Sequence, residues 1–110
     1  MTKTKQIRLT PPLFHILLSL TEGEKHGYGI MLEVRQRTGG NVKLGPGSIY
    51  WSLDRLEECG LIAEAGDQKT GSGEERRVYY RLTGKGRNTL RDETAKLADI
   101  VELARAREVI

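Results

Sequence analysis

The hydrophobic period changes at Gly60, and that change limits the possible folds more than any other feature of the chain. Before Gly60, apolar residues recur at helical spacing. Beyond it, Val78, Tyr80 and Leu82 alternate with Arg77, Tyr79 and Arg81, the period-two pattern of a half-buried strand. Leu61 to Ala65 reads as its partner strand, and the glycine-rich polar run from Gly66 to Glu75 reads as a long flexible tip between the two. A chain that goes from helices to a hairpin and back to a helix cannot be a plain bundle or an all-β sandwich.

The helical part divides at its glycines. Thr10 followed by Pro11 and Pro12 marks a helix start, since proline is tolerated in a first turn. Leu13, Ile16, Leu17 and Leu20 follow it at the spacing of one buried stripe. A second helix is expected from about His26-Gly27-Tyr28 to Gly39-Gly40, burying Ile30 and Val34, with His26 as a hydrogen-bonding residue at its start. Asn41 to Leu44 reads as a short extended piece. Gly45-Pro46-Gly47 then turns into a third helix capped by Gly47 or Ser48, with Ile49, Leu53 and Leu56 on its core face and Gly60 at its end. Thr83 caps a last helix reaching almost to the C-terminus. The order describes a mainly α protein with a small β-hairpin: a winged helix-turn-helix plus a C-terminal dimerisation helix. The expected division is a flexible arm over 1–9, the winged domain over 10–82 and the dimerisation helix over 83–110.

Composition narrows the function classes. Of 110 residues, 37% are hydrophobic and 30% charged, lean for a self-sufficient core, so part of the apolar burial is expected from a partner subunit. Eighteen Lys and Arg against 15 Asp and Glu give a net charge of +3, which permits a nucleic-acid partner without requiring one. One cysteine, Cys59, excludes an intramolecular disulfide, and with His15 and His26 it makes too few ligands for a metal sensor, so no metal or other cofactor is expected. No apolar run is long enough to span a membrane and the N-terminus has no apolar leader core, which points to a cytoplasmic protein. No constellation of nucleophile, base and acid suggests an enzyme.

Four segments together are distinctive: His26-Gly27-Tyr28-Gly29-Ile30, Gly45-Pro46-Gly47-Ser48-Ile49-Tyr50, Leu53-Asp54-Arg55-Leu56-Glu57-Glu58-Cys59-Gly60-Leu61-Ile62, and Arg76-Arg77-Val78-Tyr79-Tyr80-Arg81-Leu82-Thr83. In this order and spacing, across roughly residues 10–105, the sequence resembles the PadR family of bacterial transcriptional regulators. The resemblance implies a homodimer that binds double-stranded operator DNA, usually as a repressor. It implies a third helix in the major groove, a wing on the backbone or minor groove, and a terminal helix that dimerises. The short C-terminus resembles the compact branch of the family. Trp51 departs from the pattern, since many relatives carry proline or a polar residue after the tyrosine.

The residues assigned to DNA are Tyr28, Ser48, Tyr50, Trp51, Ser52, Arg55, Lys69, Arg76 and Arg77. Ser48, Trp51, Ser52 and Arg55 are placed opposite the core face of the third helix. There Arg55 can fork onto a guanine edge or hold a phosphate. For Trp51 the preferred reading is burial by local packing, with contact to DNA as the alternative. Lys69, Arg76 and Arg77 form a basic cluster on the hairpin, diluted by Glu74 and Glu75, and the hydroxyls of Tyr28 and Tyr50 suit phosphate oxygens. Leu90, Leu97, Ile100, Val101, Leu103 and Ala104 make the dimer stripe of the last helix. Some family members accept aromatic small molecules between their dimer helices. The last helix here has no aromatic residue, so such an effector pocket would draw on Phe14, Trp51 or aliphatic side chains. The competing reading is a protein–protein interaction module that keeps the winged fold without binding DNA.

Overall fold

The computed structural model describes residues 7–70 and 75–110, with side chains described outside 67–76. Its elements are α1 (Pro11–Leu20), β1 (Lys25–His26), α2 (Gly27–Arg37), α3 (Pro46–Glu58), β2 (Ile62–Thr70), β3 (Glu75–Leu82) and α4 (Gly84–Ala106). The strands form one antiparallel sheet in the order β1-β3-β2. The stripes Leu13/Ile16/Leu17/Leu20, Ile30/Met31/Val34 and Ile49/Leu53/Leu56 converge on one core, closed by Leu61, Ile62, Tyr80 and Leu90. This is the expected winged helix-turn-helix.

Local chemistry explains the boundaries. The Thr10 carbonyl opens α1 by accepting from the Phe14 amide at 2.8 Å. At the end of α3, Gly60 sits at φ +77°, and the amides of Gly60 and Leu61 close back on the carbonyls of Glu57 and Leu56. That double closure satisfies carbonyls a helix end leaves open, and it needs a residue at ease in the left-handed region.

Four expectations about the elements need correction. The short strand lies at Lys25–His26, ahead of α2, and 41–44 is irregular with Leu44 buried. Lys25 and His26 take the outer edge of β3, opposite Tyr80 and Tyr79, and so make it the central strand. Helix α3 begins at Pro46 behind an N-cap at Gly45, and Ser48 is its third residue. From there the Ser48 hydroxyl accepts from the Gly45 amide at 2.9 Å. Strand β2 runs on to Thr70 past a bulge between Glu64 and Gly66, because backbone pairing does not require apolar side chains. Leu90, assigned above to the dimer stripe, is buried in the monomer core, since the first turns of α4 lie against it. The expected arm over 1–9 falls mostly outside the described residues.

The joint between α3 and α4 is tightly specified. The Thr83 hydroxyl accepts from the Gly86 amide at 3.0 Å, capping α4, and donates to the Gly60 carbonyl at 2.7 Å. Lys85 Nζ donates to the Cys59 carbonyl at 2.8 Å, neutralising the exposed C-terminus of α3. A Cβ at Gly86 would run into the Leu61 carbonyl, so only glycine lets α4 dock there. Beyond Leu90 the helix projects outward, with Leu97, Ile100, Val101 and Leu103 exposed.

Candidate nucleic-acid interface

Three elements meet at the start of α2. His26 belongs to β1, so it is hydrogen-bonded into the wing, and it is also the N-cap of α2, its Nδ1 accepting from the Gly29 amide at 3.0 Å. Its ring stands edge-on to Tyr79, with centroids 5.2 Å apart, and Arg77 Nη1 lies 3.4 Å from the same Nδ1. Burial first, and the Arg77 charge second, hold His26 below its ordinary pKa, so the neutral ring that can accept from Gly29 is favoured. The expectation that His26 starts the helix by hydrogen bonding holds, and the structure adds its tie to the wing.

Around this tie lies a cleft of about 510 Å³ lined by His26, Gly27, Tyr28, Tyr50, Arg77, Val78 and Tyr80. The Arg77 guanidinium sits 5.2 Å from the Tyr28 ring centroid, a cation–π distance that holds the charge beside the first turn of α2. The Tyr50 ring crosses directly over Gly27, where a Cβ would stand 3.0 Å from it and 3.1 Å from Leu53. Gly27 is thus a close-approach position. Tyr28, Tyr50 and Arg77, assigned separately from the sequence, are brought together here.

Lys25 and Arg37, on β1 and α2, are engaged with neighbouring side chains. Lys25 bridges Glu22 at 3.1 Å and Glu33 at 2.9 Å. Arg37 ties α2 to α1 through His15 Nδ1, the His15 carbonyl and Ser19 Oγ, and pairs with Glu33 one turn back on its own helix. Burial would raise the Glu33 carboxyl, but the Ser19 hydroxyl, Lys25 and Arg37 outweigh it and hold the group below its usual range.

On α3 the exposed face differs from the expected one. Ser52 is buried: at about 100° per residue it falls only about 60° from Ile49, on the core side. It is removed from the DNA-facing set. Trp51 is 62% exposed, so local packing does not hide it. Ser48 and Tyr50 are exposed, and Arg55 is half-buried. The C-terminal half of the helix is acidic. Burial first, and then the charges of Glu64 and Asp54, raise the Glu57 carboxyl. Phosphates are repelled there, which leaves the first two turns and Arg55 as the part of α3 compatible with a polyanion. Lys69 and Arg76 oppose each other on the β2–β3 ladder, and their side chains lie outside the described residues. Among the described residues there is no cluster of three or more His, Cys, Asp or Glu that could hold a metal, and no helix long and apolar enough to cross a membrane.

A turn-linked helix pair, a wing tied to its first helix, and aromatic and cationic side chains gathered where the two meet define a winged helix-turn-helix regulator. Residues 16–92 match the transcriptional regulator PadR-like family, and the chain belongs to it. It is 33% identical over 96 residues to a transcriptional regulator of Mycobacterium tuberculosis, covering 87% of this chain and 79% of that protein. A PadR family transcription regulator from Clostridium difficile superposes with a TM-score of 0.75 at 27% identity, covering 88% of this chain and 97% of that one. The structure of Bacillus subtilis PadR in complex with operator DNA superposes at 0.67 with 27% identity, over 74% of this chain and 46% of that one.

Proposed function

We propose that this PadR-like regulator binds operator DNA as a homodimer and represses transcription from it. The observation that carries the reading is the Tyr28–Arg77–Tyr50 cluster beside the first turns of α3. It offers a guanidinium and two phenol hydroxyls to the phosphates flanking a groove into which α3 can enter. The Bacillus subtilis relative, solved in complex with operator DNA, supports the DNA-binding part of the reading. The exposed apolar side chains of α4 supply the second half of the proposal. Together with a groove lined by Leu9, Pro11, Phe14, His15, Glu93 and Leu97, they suit burial against the same surface of a second copy.

The test is selection from a pool of randomised duplexes of about 20 base pairs, long enough for two half-sites one turn apart. The expected result is a pseudo-palindromic consensus whose affinity falls by orders of magnitude between about 50 and 200 mM salt. Arg77→Ala is expected to weaken selected and random duplexes about equally, whereas Arg55→Ala costs about 1–3 kcal/mol on the selected sequence only, if its guanidinium reaches a base. Failure to enrich any sequence would favour an interaction module on the same fold.

A further inference from the structure

Of the two large exposed side chains on the first two turns of α3, Tyr50 and Trp51, the indole is the more exposed, at 62% against 53%. At about 100° per residue it shares a face with Gly47, Ser48 and Arg55, while Tyr50 is turned aside into the cleft over Gly27. The turn of helix before it carries no bulk: Gly45, Pro46, Gly47 and Ser48 precede the buried Ile49, and a Cβ at Gly45 or Gly47 would meet nothing within 4 Å. The first turn of α3 can therefore approach another surface closely, and the indole is the side chain that reaches furthest from it. Asp54 and Glu58, exposed on the following turn, disfavour close approach of phosphates there. The helix is thus suited to enter a groove by its N-terminal end, with the indole at the leading contact.

The major-groove edges of the four base pairs present hydrogen-bond donors and acceptors and a single apolar group, the 5-methyl of thymine. An indole ring that stays 62% exposed in the free protein has that methyl as its natural complement, because both lose apolar surface to water on contact. We propose that Trp51 reads a thymine methyl in each half-site and so sets sequence preference, deepening the DNA-binding reading on which it rests.

The experiment uses the full-length protein and the duplex it selects from the random pool, with each thymine in turn replaced by deoxyuridine, which removes only the methyl. The expected result is one position per half-site where the replacement weakens wild-type binding about three- to fivefold. Trp51→Ala is expected to bind the thymine and uracil duplexes equally, and Trp51→Phe to retain part of the discrimination. Because Trp51 is exposed, both variants are expected to melt like the wild type. A uracil penalty that persists unchanged in Trp51→Ala would overturn the proposal. So would a selected consensus without thymine, the absence of a penalty at every position in the wild type, or a Trp51→Ala loss equal on both duplexes alongside an unchanged uracil effect. If the wild type selects no sequence at all, it is the DNA-binding reading that fails, and this inference falls with it.

Discussion

From Pro11 to Ile62 the chain turns its leucines and isoleucines inward, Leu32 apart, whereas from Arg91 to Ile110 it turns them outward. Ile16, Leu17, Ile30, Ile49, Leu53 and Leu56 are almost fully enclosed by other residues of the same chain. Ile100 and Leu103 are as apolar and sit in an equally regular helix, yet more than half of their surface faces water, at 62% and 51% exposure. Helix propensity does not distinguish the regions, and the available neighbours do. The first region has three helices and a sheet to converge on one core. The second leaves that core after Leu90 with its apolar side chains exposed, and on the proposed reading they are buried against a second copy. On that reading, the difference separates a part that folds by itself from a part that assembles.

The largest effect should come from truncating one member of each region. Leu53→Ala is expected to cost about 3–4 kcal/mol, the transfer free energy plus that of a cavity in a packed core. Ile100→Ala should change the stability of dilute, monomeric protein by less than about 0.5 kcal/mol. Denaturant titration at low protein concentration measures both, and similar costs would erase the distinction.

Next in size is the effect of charge on the outward face. Leu97→Asp combined with Val101→Asp is expected to give a folded monomer whose melting temperature no longer rises with protein concentration, as it should in the wild type. Light scattering and melting at two concentrations would show this. A variant that stays dimeric places the interface elsewhere.

The smallest effect is acid sensitivity, confined to the self-folding region because His15 and His26 are the chain's two histidines. Burial first, and then Arg37 or Arg77 respectively, hold both below their ordinary value of 6.5. The unfolded chain therefore takes up protons before the folded one does. The stabilisation is fully present above pH 6.5 and is lost as pH falls through the lower folded values. Urea midpoints should drop between about pH 8 and pH 5.5. The drop should be smaller in His26→Asn, whose side-chain oxygen can cap α2 without titrating. An identical drop in both proteins would detach His26 from the acid response.

The helical stripes were legible because three or four apolar residues at helical spacing can be buried in only one way. The two-residue β1 has no periodicity to read, and Lys25 and His26 acquire strand character only when β3 offers its edge. The length of β2 was obscured for the opposite reason, since a polar glycine-rich run looks like a loop although its backbone pairs as far as Thr70. At the interface, Tyr28, Tyr50 and Arg77 carried a chemical signal, but their meeting depends on β1 and on the close approach at Gly27. Ser52 was misplaced because its hydroxyl suggested a polar face while its helical angle put it beside Ile49. Trp51 lies opposite the core face as its helical angle places it, but hydrophobicity suggested cover by local packing that no neighbour provides. Leu90 fits the dimer stripe by spacing alone, and only the docking of α4 at Gly86 shows that the monomer has claimed it.

The proposed division between a DNA-contacting winged unit and an assembling helix is tested most directly by the stoichiometry of the complex on its selected duplex. Sedimentation of the wild type should give two chains per duplex, and the Leu97→Asp, Val101→Asp variant should bind the same duplex at least tenfold more weakly while remaining folded, because one half-site supplies too few contacts. One wild-type chain per duplex, or full affinity in the monomeric variant, would contradict the account.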